Sequence, residues 1–238
     1  MNASDSISQT RAAMDEYRVA FSVDCVIFGY GKEKLNILLV ECNLPPYIGK
    51  WSLLGDFIRD DEDLDSAAHR VLSGYTHVNS IYLEQVSTYG NRCRHPLGRV
   101  ITTAYYSLVQ VTTFEDTYTS DGLRVKWFDV DDLPGLAFDH DEILSSCYER
   151  LQKCLRERPI GFELLPKEFT LSQLRRLYEV VLNIELDKRN FRRKLKSLNL
   201  LKETEKLQED VPHRPAKLFK FDHKQYISQM SNGLHFEL

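Results

Sequence analysis

The pattern of this chain changes at Pro159, from strands with one early and one late helix to a succession of short helices, and few features restrict its fold more. Before that proline, apolar residues come in short runs rich in β-branched and aromatic side chains: YRVAFSVDCVIFGYGKEKLNILLVEC (17–42), VNSIYLEQVSTYG (78–90), RVITTAYYSLVQV (99–111) and LRVKWFDV (123–130). The first stretch holds two apolar runs, around 18–29 and 35–41, separated by Gly29, Gly31 and charged residues, which is a hairpin pattern. The loop NLPPYIGKW (43–51) cannot continue a central strand because its prolines donate no ladder hydrogen bond. Two helices complete this half. Acidic residues from Asp61 to Asp65 open one, in which Leu64, Ala68, Val71 and Tyr75 form a stripe facing a sheet. DHDEILSSCYERLQKCLRERP (139–159) is the other, with a negative start that suits the helix dipole and a proline that closes it.

After Pro159 the pattern changes to short helices. In TLSQLRRLYEVVLN, Thr170 is an N-cap and Leu171, Leu174, Leu177, Tyr178 and Val181 share one face. A short break precedes a second helix, DKRNFRRKLKSLN (187–199), with Asp187 as its cap. LLKETEKLQED and AKLFKFD then read as two strands around a loop holding His213 and Arg214. Helix, turn, helix and hairpin is the plan of a winged helix-turn-helix. The predicted fold class is α+β: a mixed β-sheet with flanking helices over 1–158, a winged helix over 159–225, and a tail over 226–238 with no readable role.

Several function classes drop out. No apolar run approaches the roughly 18 residues of a membrane span, and the polar start MNASDSISQTRAAMDEYR lacks the regions of a secretory signal, so a cytoplasmic protein without membrane contact is expected. The 5 cysteines are odd in number and lack CxxC spacing, so buried free thiols are expected rather than disulfides or a zinc site. The formal net charge of −4 divides unevenly: residues 1–150 carry 13 Lys and Arg against 23 Asp and Glu, and residues 151–238 carry 18 against 12. A basic module that meets a polyanion, joined to an acidic one that does not, accounts for that asymmetry.

The positive charge concentrates on the second short helix. There Phe191, Leu195 and Leu198 form the buried stripe, while Arg189, Arg192, Arg193 and Lys196 share the opposite face. Crowded cations repel one another unless a polyanion relieves them, and a nucleic-acid backbone does so with release of counterions. The predicted DNA-binding set is Lys188, Arg189, Asn190, Arg192, Arg193 and Lys196, with His213, Arg214 and Lys217 from the wing; Asn190 is placed to meet an adenine edge or a phosphate.

The segment LGDFIRDDEDLDSAAHRVLSGYTHV (54–78) resembles the Nudix box, the signature of hydrolases acting on nucleoside diphosphates linked to another group. Its frame runs Gly, five residues, Glu, seven residues, then Arg-Glu-apolar-any-Glu-Glu-any-Gly-apolar. Asp56 falls at the first glycine, Glu62 at the first glutamate and Arg70 at the arginine. Val71, Gly74 and Tyr75 stand where the catalytic and metal-binding glutamates belong, and His77 at the closing glycine. Such chemistry needs several carboxylates on one helical face, because Mg²⁺ takes hard oxygen ligands. The box is degenerate, so no catalytic residue, metal or cofactor is expected; Arg70 remains as a structural partner for Glu62, and His69 is a surface residue.

A Nudix fold without its carboxylates, followed by a basic winged helix, is similar to the NrtR-like Nudix-related transcriptional regulators of bacteria. DHDEIL, PIGFELLPKEFTLSQLRRLYEVVLNIELDKRNFRRKL, HRPAKLFKF and HPLGRVITTAYYSLV all resemble that family. The resemblance implies a homodimer on palindromic operator DNA, with the Nudix-like domain sensing a small effector: ADP-ribose in some members, a pentose such as arabinose in others. Arg92, Arg94 and Arg99 suit a pyrophosphate, and Trp51, Asp56, Glu62 and Tyr105 suit a sugar. The expectation leans to a small sugar, since Asp56 in place of glycine alters the old phosphate space. An atypical Nudix hydrolase of ADP-ribose or sugar nucleotides, and an adaptor whose winged helix contacts protein, are the competing readings.

Overall fold

The computed structural model describes residues 19–76, 82–111, 115–209, 214–231 and 236. His77 and His213 lie outside them. The first half is a mixed sheet in the order β5-β6-β1-β2-β8-β7, with β3 on β2 and β4 on β1. Its strands are β1 (Ala20–Gly31), β2 (Lys34–Glu41), β3 (Trp51–Ser52), β4 (Leu54–Phe57), β5 (Tyr82–Tyr89), β6 (Val100–Gln110), β7 (Thr117–Tyr118) and β8 (Arg124–Asp129). β1 and β6 run parallel, from Ala20 opposite Val100 to Tyr30 opposite Gln110. The other pairings are antiparallel.

The β1–β2 hairpin forms where expected, but its turn is Lys32-Glu33, with φ of 52° and 56°. Both φ angles are positive, as the tight turns that match strand twist require. Gly29 is not a turn residue. It lies within β1, where a Cβ would come within 2.7 Å of the Trp127 ring.

Side-chain alternation divides the central strands between two cores. Val23, Cys25 and Ile27 of β1, Leu38 and Val40 of β2 and Tyr105 of β6 pack with Ala67, Ala68, Val71 and Leu72 of α1 (Leu64–Thr76). Val26 and Phe28, Leu35, Ile37 and Leu39, and Ala104, Tyr106 and Leu108 face the other way. There they meet Ile143, Cys147 and Leu151 of α2 (His140–Glu157).

The second half comprises a 3-10 turn (Pro159–Leu164), α3 (Leu171–Leu182), α4 (Lys188–Leu198), the hairpin β9 (Leu201–Leu207) and β10 (Lys217–Phe221), and α5 (His223–Ser231). Thr170 caps α3 reciprocally: its Oγ1 accepts from Gln173 N at 3.1 Å, and its own N–H donates to Gln173 Oε1 at 2.7 Å. Asp187 caps α4 by accepting from Asn190 N at 2.8 Å. Each such cap stabilises a helix by about 1 kcal/mol.

No solvent layer separates the halves. Leu174, Leu177, Tyr178, Phe191 and Leu195 join Ile143 and Leu151 in one continuous core. Helix α5 runs across the expected boundary at 225/226, and Phe236 is buried in the same core, so part of the predicted tail is structural.

Candidate functional site

Asp24 is the single charge in the apolar run FSVDCVIF, and it sets the floor of a cleft. Strand β4 passes beside it with Gly55 in register, where a Cβ would lie 2.4 Å from Asp24 Oδ1, so only glycine lets the strands approach. Arg94, buried in the 91–99 loop, donates from Nη2 to Asp24 Oδ2 at 3.0 Å and to Asp139 Oδ1 at 2.8 Å, and from Nε to Asp139 Oδ2 at 2.8 Å. Burial opposes the guanidinium charge, but its bonds to Asp139 and Asp24 outweigh burial and raise its pKa. One cation between two carboxylates leaves the wall formally negative.

His140 is the first residue of α2. Its Nδ1 accepts from Leu53 N at 2.9 Å, so the proton sits on Nε2, 3.7 Å from Asp24 Oδ1. Burial lowers its pKa, which keeps the ring neutral. Phe138, held at a positive φ of 58°, presents its ring to His95 (stacked, 5.2 Å) and to Tyr47 (4.6 Å). The cleft measures about 310 Å³, within the range of small-molecule sites. Ser22, Asn43, Ser52, Asp56, Tyr75, Phe57, Leu97 and Leu123 also line it.

The frame of the box is intact beside this cleft. Arg70 Nε and Nη2 grip Glu62 Oε2 and Oε1 at 2.9 and 2.5 Å, and Nη1 reaches Asp56 Oδ2 at 2.6 Å. These bonds hold the loop between β4 and α1. The hydrogen bond from Arg70, helped by the Arg59 amide, brings the Glu62 carboxyl down to about 2. Val71 is 5% exposed and packs on the sheet, Gly74 is exposed, and Tyr75 turns to the cleft.

In the winged helix, α4 presents Lys188, Arg189, Arg192, Arg193 and Lys196 to solvent around a buried stripe of Phe191, Leu195 and Leu198. Arg193 Nη2 donates to Asn190 Oδ1 at 2.8 Å. Among the described residues no acidic side chain pairs with the lysines and arginines of α4. The hairpin differs: Lys202 pairs with Asp222, Lys206 and Lys220 with Glu168, and Lys217 with Glu203.

Comparison with known proteins matches residues 19–151 to the NUDIX domain and residues 161–221 to the NrtR DNA-binding winged helix domain. The chain is 32% identical over 209 residues to the ADPR responsive transcriptional repressor NtrR of Acinetobacter baylyi, covering 86% of this chain and 83% of that protein. The chain belongs to the NrtR family.

The crystal structure of Shewanella oneidensis NrtR complexed with a 27mer DNA superposes on this NrtR-family chain with a TM-score of 0.74 at 30% identity, covering 86% of this chain and 94% of that one. The NUDIX domain of the same Shewanella protein, complexed with ADP ribose, superposes with a TM-score of 0.50 at 34% identity over 56% of this chain and 89% of that one. The α+β class, the Nudix-like sheet and the winged helix expected from the sequence are those of NrtR. The divalent cation of Nudix hydrolases does not fit the box of this member: both Glu62 oxygens are engaged by Arg70, Val71 is buried, and Gly74 carries no ligand atom.

Of the expected effector residues, the structure brings Asp56 and Arg94 to the cleft. Trp51 instead packs edge-on against Phe128 at 4.7 Å, beneath the Arg124 guanidinium. Tyr105 is buried under α1, donating to Asp65 at 2.6 Å. Glu62 belongs to the Arg70 clamp; Arg92 and Arg99 are exposed, and Arg99 donates to Gly90 O. Sequence reasoning missed Asp24, His95, Phe138 and His140. A lone aspartate inside an apolar strand is the signal that could have found the first. Of the expected wing residues, Arg214 is exposed and Lys217 is ion-paired.

Proposed function

We propose that this protein is an ADP-ribose-responsive transcriptional repressor that binds palindromic operator DNA as a homodimer through α4 and does not hydrolyse its effector. The observation that carries the reading is the row of exposed cations on α4, without acidic partners among the described residues, in a winged helix packed on a Nudix domain. Lys188, Arg189, Arg192, Arg193 and Lys196 meet phosphates, and Asn190 and Arg193 stand where base edges would lie. Arg214 adds a backbone contact, with His213 beside it in the chain.

The relative named as an ADPR responsive repressor and the Shewanella Nudix domain complexed with ADP ribose support the effector. The cleft agrees with the ribose and base: Asp24 and Asp56 accept hydroxyl protons, while Phe57, Tyr75 and Phe138 offer ring faces. Arg92 and Arg99 belong to the loop whose Arg94, His95 and Leu97 line the cleft, where a pyrophosphate would need cations. The carboxylates of the lining also suit a free pentose, which is therefore the competing ligand.

Titration of a labelled palindromic duplex, with and without ADP-ribose or arabinose, tests the proposal. Salt-dependent binding weakened by ADP-ribose alone is expected; absence of salt-dependent DNA binding with either ligand overturns it. Release of AMP from ADP-ribose with added Mg²⁺ would instead establish the hydrolase.

A further inference from the structure

The cleft and α4 share no lining residue, and α2 touches both the cleft wall and the domain that carries α4. Its 18 residues make a rod of about 27 Å. At the near end, Asp139 is gripped by Arg94 and His140 by the Leu53 amide, so the start of α2 is part of the cleft wall. Farther along, two of its side chains converge on one atom of the winged helix: Tyr148 Oη donates to Val181 O at 3.0 Å, and Gln152 Nε2 donates to the same oxygen at 2.9 Å. The last carbonyls of a helix have no partner within it, and here the donors come from another domain.

From Val181 the path to α4 is short and hydrogen-bonded. Asn183 ends α3 in the left-handed conformation, and Ile184 N donates back to Glu179 O at 3.1 Å. Glu179 Oε1 then accepts from Leu186 N at 3.0 Å, while Arg175 Nη1 donates to Leu186 O at 3.3 Å. The turn is thereby tied to α3 at both ends, and Asp187 follows at once as the cap of α4. Tyr148 also packs against Phe28 (6.1 Å), on the strand that carries Asp24 to the cleft.

Resting on the effector reading above, we propose that Tyr148 and Gln152 are positioning residues of the response: the shared Val181 carbonyl is the joint through which occupancy of the cleft changes the placement of α4. They touch neither effector nor DNA. Their loss should therefore spare both bindings and abolish the linkage between them, which is a free energy of its own.

The test is a thermodynamic cycle on the full chain: DNA affinity with and without ADP-ribose, and ADP-ribose affinity without DNA, for the unaltered protein, Tyr148→Phe, and Tyr148→Phe combined with Gln152→Leu. The unaltered protein should show about a tenfold or larger effect of ADP-ribose on DNA binding. The double variant should keep each separate Kd within about threefold and cut the linkage to about threefold or less, with the single variant between. Full linkage in both variants overturns this inference and leaves the proposed function standing. So does loss of either separate affinity in the Tyr148→Phe protein, which removes only one oxygen, since the pair would then be merely structural. No effect of ADP-ribose on the unaltered protein overturns the parent reading and this inference with it.

Discussion

Arg70 closes a two-pronged hydrogen bond on Glu62, from Nε to Oε2 and from Nη2 to Oε1, across eight residues of loop and helix. The same guanidinium reaches Asp56 through Nη1, so the pair holds the loop between β4 and α1 against the cleft that Asp56 lines.

This pair predicts an acid-sensitive fold. An ordinary glutamate titrates near about 4.3, whereas the Arg70 hydrogen bond holds Glu62 at about 2. Glu84 is also held at about 2: burial opposes ionisation, but hydrogen bonds from Tyr82, Arg158 and Arg150 prevail. A depressed carboxylate stabilises the fold at pH values above its unfolded pKa and loses that contribution as pH falls through its folded one. Urea midpoints measured from pH 6 to 2 should fall most steeply below about pH 4. Glu62→Gln should be less stable at pH 6 and approach the unaltered protein near pH 2.

Removal of Arg94 should be far more damaging than removal of a surface arginine. Asp24 and Asp139 would be left in the cleft wall without their cation, and breaking such a buried network costs about 3–5 kcal/mol. Arg94→Met should lower the melting temperature by ten degrees or so and abolish the thermal shift given by ADP-ribose. Arg92→Met should leave the melting temperature nearly unchanged.

The two basic elements of the winged helix should differ in salt response. Each α4 cation that meets a phosphate contributes about one unit to the slope of log affinity against log salt. A homodimer loses two such cations with each substitution, so Arg189→Ala and Arg192→Ala should each reduce the slope by about two units. Lys217→Ala should change it less, because Glu203 already pairs with that ammonium. Equal slopes for all three variants would remove α4 from its privileged place.

The junction between halves should respond in opposite directions to two small changes. Gly161 lies against Leu155, Leu177 and Tyr178, where a Cβ would come within 2.8, 3.2 and 3.2 Å. Gly161→Ala should thus destabilise the chain by about 1–3 kcal/mol through overpacking. Tyr178 is fully buried, with no partner for its hydroxyl among the described residues. Tyr178→Phe should then be neutral or stabilising by about 1 kcal/mol in the same denaturant titration.

Local physics was enough for much of this protein. The change of pattern at Pro159 separated the strand-rich half from the winged helix, Thr170 and Asp187 marked their helix starts through backbone capping, and the spacing of Glu62 and Arg70 revealed a pair that one helix and its leading loop bring together. The cations of α4 were legible because a helical period alone places them opposite Phe191 and Leu195. Long-range approach decided the rest. Trp51 and Tyr105 carry chemistry suited to a ligand, yet sheet pairing sends one beneath Arg124 and the other under α1. The cleft joins Asp24, Gly55, Arg94 and His140 from four separated segments, and Val181 O draws Tyr148 and Gln152 from another domain. No periodicity encodes such meetings, because they depend on which strand lies beside which; only the closed fold brings those atoms within hydrogen-bonding reach.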